Sequence, residues 1–107
     1  MIAAEFEKAN SRIVGFSVSG HSGYAEQGAD IVCSSVSSAV WMTINGLEQV
    51  MGLSPVYTQA EAHVVCRLTA SDIPRAQVLL QSLEQFLCNL STDYGNYLTV
   101  KEVHKHV

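Results

Sequence analysis

The sequence predicts an α+β domain in which a mostly antiparallel sheet carries two helices, in the order ββαββαβ. Three observations predict it. Apolar and polar residues alternate in short runs, the period of half-buried strands. Two longer stretches repeat apolar residues at intervals of three and four, the period of a helix buried along one side. Turn-forming residues separate the runs. The 107 residues show no linker, internal repeat or low-complexity segment, so they read as a single domain, 1–107, large enough for a two-layer core.

In residues 2–7, Ile2, Ala4 and Phe6 alternate with Ala3, Glu5 and Glu7. In residues 13–19, Val14, Phe16 and Val18 alternate with Ile13, Ser17 and Ser19. Ala9, Asn10 and Ser11 supply turn chemistry between the two runs, which predicts an antiparallel hairpin. The second strand ends at Gly20, and His21 follows at once. Gly23 and Gly28 then permit tight or left-handed turns, so this loop can pass close to another backbone such as that of a bound peptide.

Asp30 suits the N-cap of a helix whose apolar stripe runs through Val32, Val36, Val40, Ile44, Leu47 and Met51. Gly52 and Pro55 terminate it. Residues 56–58 and 62–68 read as strands joined by a polar turn around Gln59 and Glu61. Ser71 and Asp72 can cap a second helix, with Pro74 in its first turn and a stripe of Ala76, Leu79, Leu83, Phe86 and Leu90. A turn over 93–96 leads to a last strand, where Leu98 and Val100 oppose Tyr97, Thr99 and Lys101. Both helices are expected on one face of the sheet.

Composition narrows the function. A hydrophobic fraction of 48% with 15% charged residues fits a folded chain, and a net charge of −4 leaves no basic footprint for nucleic acid. That charge suits a basic partner. Glu5 and Glu7 interrupt the apolar run that a signal peptide needs, and no apolar run approaches the ~20 residues that span a bilayer. Cys33, Cys66 and Cys88 are odd in number and widely spaced, which argues against a disulfide framework and for a reducing, cytoplasmic setting. Cys66 and Cys88 sit in apolar patterns and read as core. No metal site is expected: His63 and Cys66, three apart on a strand, point to opposite faces, and His104 with His106 makes two ligands where structural zinc takes four. No phosphate-binding or dinucleotide-binding glycine loop implies a cofactor.

What remains is a thiol and a base. Cys33 falls at about the third helical position, where unpaired amides and the helix dipole favour a thiolate. Protonated His21, brought close by the loop, would favour it further and later protonate a leaving amine. Amides of the first turn, that of Cys33 included, are candidate donors to an oxyanion. Asp30 has two readings, the helix cap, which is favoured, or a residue that orients His21. Ser37, one turn beyond Cys33 on the same face, either bonds back into the helix or lines the site. Trp41 continues along that side and reads as a core or interface anchor. Without more, Cys33 could also be a small buried hydrophobe, as free cysteines often are.

Gly20-His21 and, after eleven intervening residues, Cys33 within Asp30-Ile31-Val32-Cys33 resemble the motif of the ribosomal-processing cysteine proteases, the Prp family. That motif is a Gly-His followed, after a spacer, by an Asp-Ile-Val-Cys that opens a helix; Ser34-Ser35-Val36-Ser37 continues it here. Gly23-Tyr24 and Gly28 also look like the family's loop, although the family more often has alanine at Ser22, Ser34 and Ser35. The resemblance implies an α+β homodimer with cysteine endopeptidase activity, removing the N-terminal extension of large-subunit ribosomal protein bL27. It implies Cys33 as nucleophile and His21 as base, with Gly20, Asp30 and Ser37 in support. It also implies that the loop of Gly23, Tyr24 and Gly28 orders around the peptide. The alternative is a non-catalytic, ribosome-associated module that binds a peptide without cutting it.

Overall fold

The computed structural model describes residues 1–26 and 28–105. Its strands are β1 (Ile2–Ala9), β2 (Arg12–Ser19), β3 (Val56–Ala60), β4 (His63–Arg67) and β5 (Leu98–His104); its helices are α1 (Ile31–Asn45) and α2 (Ile73–Asp93). The element order is ββαββαβ, as expected. The strands form one sheet in the spatial order β3-β4-β2-β1-β5, antiparallel throughout except where β1 and β5 run parallel.

On β1, Ile2, Ala4 and Phe6 are buried while Ala3 and Glu5 are exposed, so the helices cover one face of the sheet. The β1–β2 turn puts Asn10 and Ser11 at φ of 53° and 67°, the primed geometry whose twist matches that of the strands it joins. In β2 the alternation does not run as expected. Glu7 pairs with Gly15 but Lys8 with Ile13, so Val14 is an extra residue in a β-bulge. The bulge reverses the pattern, and Ile13, expected opposite Phe16, is buried with it. The backbone of Ile13 is taken up by α2: its N–H donates to Gln77 Oε1 at 2.9 Å, and its carbonyl accepts from Gln77 Nε2 at 2.8 Å.

The stripe of α1 is buried as expected at Val32, Val36, Val40 and Ile44. The α-helix ends earlier than the repeat suggested, at Asn45, and the chain continues through a wider π turn over Gly46–Val50. Gly46 faces α2, where any Cβ would stand 3.0 Å from Leu79 Cδ1, and the wider turn keeps Leu47 in the core. Gly52, at φ +70°, then reverses the chain. Between β3 and β4 the turn is Glu61–Ala62, with Ala62 at φ 55°; β3 therefore runs on to Ala60, past the turn expected at Gln59. All of β3 lies exposed at the sheet edge.

The apolar stripe of α2 is offset from the one expected. Ala76, Leu80, Leu83 and Leu87 are buried, whereas Leu79 and Leu90 are half-buried and Phe86 is 44% exposed. Positions 76 and 83 are common to both stripes, so the repeat alone could not choose between the shoulders at 79 and 80 or at 86 and 87. Packing on the sheet chose. Asp72 stands at the helix start, but its carboxylate accepts from Ser54 N–H at 2.9 Å and makes no cap bond to its own helix. None of the described helices is long and apolar enough to cross a membrane.

The two shoulders of α2 should respond differently to truncation. Leu87→Ala should cost about 2–5 kcal/mol of stability, and Phe86→Ala under about 1 kcal/mol, as read from urea denaturation midpoints.

Candidate active site

Two separate pieces of chain meet where β2 ends and α1 begins. Gly20, at φ +91°, turns the chain off the sheet; its N–H donates to Ala62 O at 2.8 Å, and a Cβ there would lie 2.5 Å from the Met1 carbonyl oxygen. Only glycine meets both demands without strain. His21 follows, exposed. On the other side, Cys33 is the third residue of α1 and half-buried.

Ser22 and Asp30 join the pieces. Ser22 is 3% exposed, and its N–H donates to Cys33 Sγ at 3.3 Å. Its hydroxyl donates to Asp30 Oδ2 and accepts from Tyr24 N–H at 3.1 Å. The other carboxylate oxygen of Asp30 accepts from Val32 N–H at 3.0 Å and Cys33 N–H at 2.9 Å, a double N-cap. Ala25 N–H adds a longer contact of 3.5 Å to Oδ2. Asp30 thus caps α1 and closes the loop, and the bonds it makes go to Ser22 and to backbone, not to His21. The cap also engages the Cys33 amide that the sequence offered as an oxyanion donor. The serine run at the start of α1 is satisfied locally: Ser34 Oγ donates to Asp30 O at 3.0 Å and Ser35 Oγ to Ile31 O at 2.7 Å.

Cys33, His21 and Ser37 border two cavities. One, about 200 Å³, lies between α1 and the β3–β4 hairpin, with Val18, Val36, Val40 and Trp41 on its wall and Gln59 and His63 at its rim. The other, about 460 Å³, opens beneath the loop and is bordered by Gly23, Gly28, Asp30 and Ser34. Gly23 and Gly28 have φ of +73° and +91° with open space around them. Trp41 meets Tyr57 of β3 edge-on, ring centres 5.9 Å apart, and so helps close the smaller cavity.

The sequence reading missed Ser22, treated as a plain exchange of one small residue for another. A serine followed by glycine, its hydroxyl accepting from the amide two residues on, is a local turn signal that would have marked it. It also weighed His63 only as a metal ligand. The other two thiols are held apart from the site. Burial pushes Cys66 up to about 11. Cys88 is raised by burial and then by the charges of Glu84 and Glu102. His104 lies 3.6 Å from Glu102, and His106 lies outside the described residues.

The Ser22 hydroxyl, followed by the Cys33 amide, holds the Asp30 carboxyl down to about 2 from its ordinary 3.8. A depressed acid stabilises the fold above its unfolded value, and the contribution is lost as pH falls through the folded one. Asp30→Asn should therefore lower the denaturation midpoint near neutral pH, and its gap from the native protein should close as pH drops from about 3.8 to about 2. Urea midpoints measured across that range check it; a gap independent of pH would show that the charge contributes nothing.

The whole chain has counterparts among known proteins. It is 27% identical over 107 residues to the ribosomal processing cysteine protease Prp of Bacillus subtilis, covering 94% of this chain and 96% of that one. Its fold superposes with a TM-score of 0.90 on the S. aureus ribosomal processing protease Prp solved with a covalently linked product peptide, at 20% identity over 96% of this chain and all of that one. The same S. aureus protease solved with a substrate peptide gives a TM-score of 0.84 at 19% identity, again over 96% of this chain and all of that one. The family model described as cysteine protease Prp matches residues 1–99, and the chain belongs to that family.

Proposed function

We propose that residues 1–107 act as one endopeptidase domain that removes the N-terminal extension of ribosomal protein bL27 during ribosome maturation, with Cys33 as nucleophile and His21 as its base. The observation that carries the reading is the placing of the thiol. Cys33 Sγ stands in the first turn of α1, half-buried, accepting a backbone N–H at 3.3 Å, with His21 bordering both cavities that flank it. A peptide laid across these cavities would present a carbonyl to sulfur. The names of the relatives support a ribosomal peptide substrate, and the −4 charge suits a basic one.

In the proposed reaction His21 takes the thiol proton and sulfur attacks the scissile carbonyl carbon. The C–S bond forms as the carbonyl electron pair moves to oxygen, close to the Ser22 amide already directed at Sγ. The tetrahedral adduct then collapses and breaks the C–N bond, and imidazolium gives its proton to the leaving amine. Water, deprotonated by the same imidazole, hydrolyses the thioester and returns the free thiol. No cofactor is needed. Gly20 and Asp30 support the site by shaping the turn and capping the helix, and Ser37 supports it from the cavity wall. The loop of Gly23, Tyr24 and Gly28 adapts to the peptide through backbone that Gly23 and Gly28 leave free. The protein works as a cytoplasmic homodimer, without direct contact to nucleic acid or membrane.

A synthetic peptide matching the host's extended bL27 N-terminus, followed by mass spectrometry, tests the proposal. The native protein should make a single cut. Cys33→Ala should make none while keeping its fold, and His21→Ala should cut at least ~100-fold more slowly. Cleavage by Cys33→Ala, or none by the folded native protein, would overturn it.

A further inference from the structure

The loop that carries His21 and Ser22 is braced from an unexpected quarter. Tyr24, 41% exposed, meets two tyrosines from the turn between α2 and β5 edge-on. Its ring centre lies 5.6 Å from that of Tyr94 and 5.2 Å from that of Tyr97, at interplanar angles of 85° and 80°. These are the T-shaped contacts that aromatic rings prefer, with a positive edge directed at a negative face.

The cradle is firm. Tyr97 N–H and Leu98 N–H both donate to Tyr94 O, at 2.9 and 3.1 Å, and Ile2 N–H donates to Tyr97 O at 2.8 Å. It is therefore bonded to the first strand and continuous with the last. On the loop side Gly23 stands in open space between Ser22 and Tyr24, and the Ala25 N–H that follows makes only the longer contact to Asp30. Ser22 is thus fixed from two directions. Asp30 binds its hydroxyl, and Tyr24 holds the following backbone while its own N–H donates to that hydroxyl.

We infer that Tyr24 is a positioning residue for the thiol: its ring, seated against Tyr94 and Tyr97, keeps the Ser22 amide directed at Cys33 Sγ. The inference rests on the reading of Cys33 as nucleophile and adds a support for it that lies some seventy positions away in sequence. The ring, not the phenol hydroxyl, does the holding, so phenylalanine can replace tyrosine while alanine cannot.

The test uses the full chain as native protein, Tyr24→Ala, Tyr24→Phe, Tyr97→Ala and the double variant Tyr24→Ala/Tyr97→Ala. The rate of Cys33 alkylation by iodoacetamide is read by peptide mass mapping, which separates it from Cys66 and Cys88, and thermal unfolding is followed in parallel. Cleavage of the bL27 peptide supplies kcat and KM. Tyr24→Ala should slow alkylation by roughly threefold to tenfold, the scale of one ordered aromatic contact, and lower kcat more than it raises KM. Tyr24→Phe should recover most of that loss, and the double variant should be no slower than Tyr24→Ala alone. Native alkylation in Tyr24→Ala, an equal loss in Tyr24→Phe, or additive losses in the double variant would each overturn the inference. If the native protein cut no peptide while alkylation still followed the ring at position 24, the endopeptidase reading would fall and the positioning role would stand. If it cut normally while alkylation ignored Tyr24, only the positioning role would fall.

Discussion

The carboxylate of Asp30 joins two segments that the sheet and the helices alone would leave free of each other. With one oxygen it accepts the first amides of α1, and with the other it accepts the hydroxyl of Ser22, so the start of the helix and the loop after β2 form one unit. A capping residue ordinarily stabilises a helix and nothing more. Here the same bonds set the distance between the Ser22 amide and the Cys33 sulfur. The carboxylate's negative charge is dispersed over hydrogen bonds from Ser22 and from backbone amides. Capping of the helix and placing of the sulfur are therefore two effects of one group.

The sheet supplies the other boundary. The β3–β4 hairpin hands the Ala62 carbonyl to Gly20, so the point where the chain leaves β2 is held by the neighbouring hairpin turn. The same hairpin, with Tyr57 set against Trp41, walls the smaller cavity beside the sulfur. Trp41 read from sequence as a core or interface anchor, and it does pack against the core; what the reading could not show is that its ring also borders the cavity.

The architecture was legible because its signals were local and periodic. Alternation in β1 and the stripe of α1 are properties of a few consecutive residues, and they sit where the sequence placed them. So do the positions of His21 just past a strand and Cys33 in a first helical turn. Four features were not legible, each for its own reason. The bulge at Val14 changes the phase of β2 by one residue, and Ile13 followed by Val14 fits either phase. The buried shoulder of α2 is decided by what lies opposite, since both shoulders carry large apolar residues, Leu79 and Phe86 on one and Leu80 and Leu87 on the other. The role of Ser22 depends on groups eight and eleven positions away that no single-segment pattern connects. The tyrosine cradle is further still, set by how the end of α2 returns to the first strand.

The parallel pairing of β1 with β5 carries a consequence for the order in which the molecule is made. A chain emerging from its N-terminus can form the β1–β2 hairpin and α1 early, from contacts close in sequence. The outer edge of β1 stays uncovered until Leu98–His104 has been synthesised, and an unpaired edge is an aggregation hazard for as long as it lasts. The tyrosines that brace the loop lie just ahead of that last strand. A nascent chain thus holds Cys33, His21 and the Asp30 cap well before it holds the tyrosines that pack against Tyr24, so that contact forms only after the turn beyond α2 has been made.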